Sequence, residues 1–246
     1  MDNKFVLNAI YKNAIQYHNN LEGKNILFVF GSRENTNFIE TSFLKKHFLH
    51  LTGVKLTNGM SATLFYKRCL SNQISPNDFQ TDFKVKLKLD VLPQVMKIYK
   101  NAKMCGDFDG NRLKLHTDKI IGNVTASIGF VKDGNYYVPN TVLEEDIRKV
   151  TIHPQQRILA IFRKPVKQKT YTELCYLANN IPKEALILPN EVTVKLDVPD
   201  LGEATLYQEP ESQKLSDMID QAKKQAQQYN AEQEKGHTRN HSELER

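Results

Sequence analysis

At 246 residues, with a hydrophobic fraction of 40%, the sequence fits one large domain or one domain with an appendage, and no apolar run approaches the about 20 residues that span a bilayer. Its three cysteines are widely separated and form no CxxC pair, which excludes a disulfide framework and a structural zinc site and predicts a soluble, cytoplasmic protein. The formal net charge is +6, and the first 202 residues hold 28 basic against 19 acidic side chains, so the body favours a polyanionic partner such as nucleic acid.

The chain begins with a predicted amphipathic helix over its first twenty residues, where apolar side chains recur at helical spacing. Residues 26–30 form a short, dense apolar run that ends at Gly31, which is typical of a buried strand. Residues 38–43 predict a second strand after a polar turn. We therefore expect an N-terminal helix at residues 1–22, followed by an α+β domain at residues 23–208.

Residues 45–54 concentrate side chains that can transfer protons or bind phosphate. They combine two lysines, two histidines and a threonine with apolar neighbours. Cleavage of a phosphodiester without a metal requires a proton acceptor, a proton donor and cations for the phosphate. All three kinds of group occur here, and histidine titrates near physiological pH. The structural alternative is that an HxxH pattern beside an apolar run only supports the fold.

Two further helices are predicted before the pattern changes to strands. Ser61 is a candidate N-cap for the first, and the second extends from about residue 75 to 101 with a kink or break at Pro93. From Leu113 onward, apolar residues alternate as in strands, and Asp133-Gly134 predicts a hairpin turn.

The second half predicts a strand at residues 158–162, a partner strand at 171–177 and a last strand at 192–198. Residues 209–246 are rich in Glu, Gln, Lys and Asn, and they predict a polar helical, partly disordered tail that could dock on a protein partner. The order of elements predicts an α+β fold in which helices pack on one face of an antiparallel sheet.

Several fragments resemble a known family. The first is residues 48–54, read as Phe-Leu-His-Leu-Thr-Gly-Val, which is followed by Phe65-Tyr66. Later fragments are Asp118-Lys119-Ile120-Ile121-Gly122-Asn123, Gly129-Phe130, Tyr137-Val138-Pro139-Asn140-Thr141, Asp146-Ile147-Arg148 and Ile158-Leu159-Ala160-Ile161-Phe162-Arg163-Lys164. Together they are similar to the fourth class of phage barnase-EndoU-colicin E5/D-RelE-like nucleases, over roughly residues 24–178. The resemblance implies the α+β core of such metal-independent ribonucleases and a nuclease-like domain at residues 23–208.

The resemblance also implies a reaction in which the ribose 2′-hydroxyl attacks the adjacent phosphate and leaves a 2′,3′-cyclic phosphate. His50 is the first candidate for proton transfer, because its place in the matching motif favours it over His47, which we expect to face solvent. Thr52 is a second candidate, with capping of the turn before Gly53 as its alternative. The remaining catalytic candidates are Thr141, which is otherwise a helix N-cap, and Lys164.

Residues expected to contact the nucleic acid are basic or aromatic and lie near these candidates. They are Lys45, Lys46, Tyr66, Arg148, Arg163, Lys167, Lys169 and Tyr171. The alternatives are solvated faces or a solvent-exposed strand end for the charged residues, and burial for Tyr66. The expected partner is RNA, with transfer RNA as one candidate, and no metal or other cofactor is expected.

Two functions therefore remain open at this point. The first is a metal-independent endoribonuclease of a phage or mobile element. The alternative is a catalytically silent module that binds nucleic acid or a host protein, in which case the His50 window is structural.

Overall fold

The computed structural model describes residues 3–32, 35–110, 115–179, 181, 186 and 188–198. The predicted tail at residues 209–246 and its protein partner lie outside the described residues, as does Leu113 in the predicted strand region. Among the described residues, no helix is both long enough and apolar enough to cross a membrane.

The described part of the chain contains both helices and strands. The helices are α1 (Asn3–Asn20), α2 (Phe48–Thr52), α3 (Ala62–Leu70), α4 (Phe83–Val95), α5 (Ile98–Asn101), α6 (Ile147–Val150) and α7 (Asn190–Thr193), with short 3-10 helices at Lys45–His47 and Pro76–Asp78. The strands are β1 (Lys24–Gly31), β2 (Thr36–Phe43), β3 (Lys55–Leu56), β4 (Phe79–Gln80), β5 (Met104–Asp107), β6 (Lys119–Gly122), β7 (Ser127–Asp133), β8 (Tyr136–Leu143), β9 (Gln156–Pro165) and β10 (Glu173–Leu177).

Local signals predicted many of these elements correctly. The N-terminal helix is confirmed as α1, and Ser61 caps α3 by accepting a hydrogen bond from the backbone N–H of Leu64 at 3.2 Å. Helix α4 ends at Val95, two residues after Pro93. The predicted last strand at residues 192–198 is wrong, because α7 covers its first two residues and the rest forms only a single bridge, between Leu196 and Tyr171.

Seven strands close into a mixed barrel. They follow the order β1-β2-β8-β7-β6-β5-β9, and β9 pairs back onto β1, while β10 adds to β9. The pair β2–β8 is parallel and the other pairs are antiparallel. The predicted fold, with helices on one face of an antiparallel sheet in the manner of the barnase, EndoU, colicin and RelE core, is therefore wrong. Alternation along each strand predicted the strands, but it carries no information on whether the last of them returns to the first.

The main apolar core joins the barrel to the helices. Its buried side chains come from all seven barrel strands and from helices α1 to α5. At its centre, the rings of Tyr17, Phe48 and Tyr66 lie 5.3 to 5.5 Å apart between centroids. This packing fixes the N-terminal end of α2 and with it the segment that carries His50.

Candidate functional site

A groove of about 500 Å³ lies where α2, α4 and β8 meet, and we call it the His50 groove. Its lining residues are Leu49, His50, Gly53, Val54, Lys55, Leu56, Gly59, Met60, Lys88 and Asn140. His50 is exposed, so its imidazole is accessible to a ligand in the groove. The groove holds two lysines and no carboxylate among its described lining residues, so its charge favours an anion.

Helix α2 ends just below this groove with a left-handed glycine. Gly53 has a φ of 74°, and its backbone N–H donates to the carbonyl of Leu49 at 3.2 Å. The hydroxyl of Thr52 donates to the same carbonyl at 2.8 Å and accepts from the N–H of Val54 at 3.4 Å. Thr52 is fully buried, so the structure gives it a capping role in place of the predicted catalytic one.

Lys88 is the groove residue that sequence reasoning missed. Its ammonium donates a hydrogen bond to the hydroxyl of Thr141 at 3.0 Å. Burial lowers the pKa of Lys88, an effect that the nearby carboxylate of Asp82 partly offsets. A signal was present in the sequence, because Lys88 interrupts the apolar stripe of Val85, Leu89 and other core residues of α4 at helical spacing.

A β-bulge places Thr141 and its neighbour at the groove. Between β7 and β8, Gly129 pairs with Thr141 but Phe130 pairs with Pro139, so Asn140 is the extra residue. Bulges of this kind redirect side chains and occur often beside active sites. Asn140 lines the groove, and its amide donates to the backbone carbonyl of His116 at 2.6 Å. Thr141 therefore contacts the ammonium of Lys88 and lies within β8, so it is not the N-cap of a helix.

Lys164 does not join this arrangement. It lines a different groove of about 720 Å³, which shares no described lining residue with the His50 groove. Its ammonium donates to the backbone carbonyl of Lys169 at 2.8 Å, and its side chain is almost completely buried. His50 and Lys88, the partner of Thr141, thus line one groove, whereas Lys164 lines another.

Two predicted aromatic contacts for nucleic acid are buried. Tyr66 packs between Tyr17 and Phe48 with no exposed surface, and burial raises the pKa of its phenol above its usual value. Tyr171 is also fully buried, and its hydroxyl donates to a carboxylate oxygen of Glu40 at 2.8 Å. Neither ring is exposed, so the predicted nucleic-acid contact of both residues is corrected.

The predicted arginine contacts are held in local pairs. Arg148 binds the carboxylate of Asp146 at 2.5 Å on the surface. Arg163 binds Glu173 at 2.6 Å, donates to the carbonyl of Asn20 at 2.9 Å and lies 4.2 Å from the centre of the Tyr99 ring. Both guanidinium groups are therefore engaged within the protein.

The predicted lysine contacts remain exposed. Lys45 and Lys46 lie on the 3-10 helix before α2, where the ammonium of Lys45 is 3.8 Å from the carboxylate of Glu22. Lys167 and Lys169 line the groove that contains Lys164.

The prediction that His47 faces solvent is wrong. Only 4% of it is exposed, and its Nδ1 accepts a hydrogen bond from the backbone N–H of Leu44 at 3.1 Å. Its Nε2 is buried without a partner. Burial, together with the charges of Lys46 and His50, lowers the pKa of His47 to about 4, so this ring is neutral near physiological pH.

In the described ranges, no three His, Cys, Asp or Glu side chains cluster so as to hold a metal ion. The polar side chains at the His50 groove are an exposed imidazole, the exposed ammonium of Lys55, the partly buried ammonium of Lys88 and the amide of Asn140.

Comparisons with known proteins extend this picture. No curated protein and no solved structure matches the chain. One family model matches over residues 9–180, which is well over half of the chain and contains β1 to β10 and every groove residue named above. The family expected from the sequence fragments is confirmed: the chain belongs to the phage-Barnase-EndoU-ColicinE5/D-RelE like nuclease4 family, a phage-related family of the nuclease type.

Proposed function

We propose that this protein is a metal-independent endoribonuclease of a phage or mobile element, with the His50 groove as its active site. The observation that carries the proposal is an exposed imidazole in the same groove as an ammonium that Thr141 holds in place. Membership in a nuclease-type family supports it. The lack of lining carboxylates among the described residues supports a reaction on a phosphate anion.

The proposed reaction uses these groups in one displacement at phosphorus. His50 takes the proton of the ribose 2′-hydroxyl, whose oxygen forms a bond to phosphorus while the bond from phosphorus to the 5′ oxygen breaks. The ammonium of Lys88 faces the extra negative charge of the phosphorane. Because its pKa is lowered, Lys88 is also a better proton donor to the departing oxygen. The products are a 2′,3′-cyclic phosphate and a 5′-hydroxyl.

The direct test is incubation of the purified chain with total RNA in the presence of EDTA. We expect discrete fragments whose 5′ ends accept a phosphate from a kinase without prior dephosphorylation. Lys88→Met should lower the rate by about 10²–10³-fold, as for loss of one stabilising donor to a transition state. Lys86→Met, a change at an exposed lysine of the same helix, is the matched control and should cleave normally.

Other results of this assay would contradict the proposal in distinct ways. Cleavage that stops in EDTA, or products with 5′-phosphates, would indicate a different reaction. Binding of RNA by the wild-type chain without any fragments would favour the silent binding module.

Two glycine-to-alanine variants can distinguish the effect of backbone strain on stability from the effect of displacing Lys88 on cleavage. A Cβ at Gly53 would lie 2.7 Å from Cδ of Lys88, whereas a Cβ at Gly23, which lies outside the groove, would meet nothing within 4 Å. Both glycines have a positive φ, so each change to alanine should cost about 1–2 kcal/mol of stability in a urea titration. Only Gly53→Ala should also slow cleavage strongly. Equal loss of activity in both variants would contradict the role given to Lys88.

A further inference from the structure

The second groove, of about 720 Å³, is lined mainly by lysines, and we call it the lysine groove. Its five lysines are Lys132, Lys164, Lys167, Lys169 and Lys195. They come from β7, from the end of β9, from the connection between β9 and β10, and from the segment after α7. Elements far apart in sequence therefore bring like charges into one concave surface, and such a surface attracts anions.

The one carboxylate among the described lining residues is already occupied. Glu40 is nearly buried, accepts a hydrogen bond from the hydroxyl of Tyr171 at 2.8 Å and binds the ammonium of Lys195 at 2.5 Å. Its charge is thus balanced by Lys195, and four lysines supply the net charge of the groove. Lys164 lies deepest, 4.7 Å from the centre of the Tyr171 ring. Its ammonium is already bound by the carbonyl of Lys169 and lies over that ring, whereas Lys132, Lys167 and Lys169 are exposed to an incoming anion.

Strand β8 connects the lysine groove to the His50 groove. Tyr136, its first residue, lines the lysine groove, and Asn140 lines the His50 groove. Tyr136 and Asn140 lie four positions apart on this strand, a separation of about 13 Å along it. A single polyanionic strand of a few nucleotides is therefore long enough to extend from one groove to the other.

We propose that the lysine groove binds the phosphate backbone of single-stranded RNA a few nucleotides away from the bond cleaved in the His50 groove. This proposal rests on the proposed function, because it assigns the second groove to the same substrate. Aromatic side chains of Phe38 and Tyr136 lie among the lysines, and basic grooves with interleaved aromatic residues are typical of single-strand binding. That feature favours RNA over an acidic protein surface.

The test replaces three exposed lysines of the groove with glutamine: Lys132, Lys167 and Lys169. A matched control replaces three exposed lysines on the helices, Lys12, Lys67 and Lys86, and so removes the same net charge. Both triple variants carry His50→Ala, so that the probe stays intact. The probe is a fluorescently labelled oligouridylate of about twelve nucleotides, and its binding is followed by anisotropy between about 50 and 200 mM salt.

We expect the groove variant to bind this probe at least about tenfold more weakly than the control variant. Its plot of log affinity against log salt should be shallower by about 2, since each lost phosphate contact on a single strand contributes about 0.7. Equal affinity and equal salt dependence in the two variants would overturn the proposal. A different result would indicate a protein ligand and overturn the proposal. In that case both variants would bind RNA weakly, and only the control variant would still bind an acidic polypeptide such as polyglutamate.

Cleavage of substrates of different length separates this proposal from the proposed function. With His50 restored, the groove variant should cleave a dinucleotide at the wild-type rate but should lose the wild-type preference for the longer strand, through a higher KM. A wild-type chain that cleaves nothing would contradict the proposed function, while the anisotropy result would still decide whether the lysine groove binds RNA. Unchanged KM for the long strand would count against the lysine groove alone.

Discussion

Replacing His50 with alanine should lower RNA cleavage by about 10²–10⁴-fold, the range expected when a positioned acid-base group is lost. His50 is exposed on the short helix α2 and lines the groove that also contains Lys88 and Asn140. Because its ring contributes little to the core, the melting temperature of the variant should stay close to that of the wild type. The measurement is the rate of fragment formation from a single-stranded RNA, with circular dichroism as the check on folding.

His18→Ala is the matched control for this variant. His18 is an exposed histidine on α1 that binds Glu22 at 2.8 Å, far along the chain from the His50 motif, and its loss should leave cleavage unchanged. Added imidazole should restore part of the activity of His50→Ala, because a diffusible base can occupy the vacated space. Full activity of His50→Ala without imidazole would falsify the assignment of His50 as the proton-transfer group.

Acidification should destabilise the protein through His47. Its folded-state pKa of about 4 lies below the ordinary value of 6.5, so the unfolded chain binds more protons than the folded chain between these values. Stability from the neutral ring is therefore complete above about pH 6.5 and is lost as the pH falls towards 4. At 1.36 kcal/mol per pKa unit, the loss amounts to about 3 kcal/mol. Urea titrations at a series of pH values between these limits measure it.

His47→Gln isolates this contribution from that of the carboxylates, which also begin to titrate near pH 4. The glutamine oxygen can accept the hydrogen bond that the N–H of Leu44 donates to Nδ1 of His47, but glutamine does not titrate. The variant should therefore lose much less stability between pH 6.5 and 4. An identical pH dependence in wild type and variant would show that the buried ring does not stay neutral.

The candidate site was only partly predictable, for reasons that can be traced to particular residues. His50 was proposed because its motif matched a family, and the structure leaves it exposed in a groove. Thr141 was found for its hydroxyl, but its contact is with Lys88, which lies 53 residues away in sequence. No local pattern in α4 or in β8 indicates that these two residues come into contact. Lys164 was expected at the catalytic site because it ends a fragment that matches the family. A matching fragment does not specify which groove the end of its strand lines, and Lys164 lines the lysine groove.

The local sequence also failed to predict which of two neighbouring histidines is exposed. His47 and His50 are three residues apart, a spacing that would place both on one face of a continuous helix. The chain instead passes from a 3-10 helix to α2 between them. His47 turns inward to accept a hydrogen bond from Leu44, while His50 stays at the surface. Which imidazole is exposed was therefore decided by packing around the aromatic cluster.

The sequence alone determined the family, the basic character of the body and most strands and helices, because hydrophobic periodicity and motif spacing are local properties of the chain. Only the tertiary structure decided the closure of the sheet, where β9 returns to β1 and joins Lys24 to Pro165 across more than half of the chain. It also decided the pairing of Lys88 with Thr141 and the gathering of the groove lysines. Each of these depends on contacts between distant segments, and such contacts form only when the whole core packs at once.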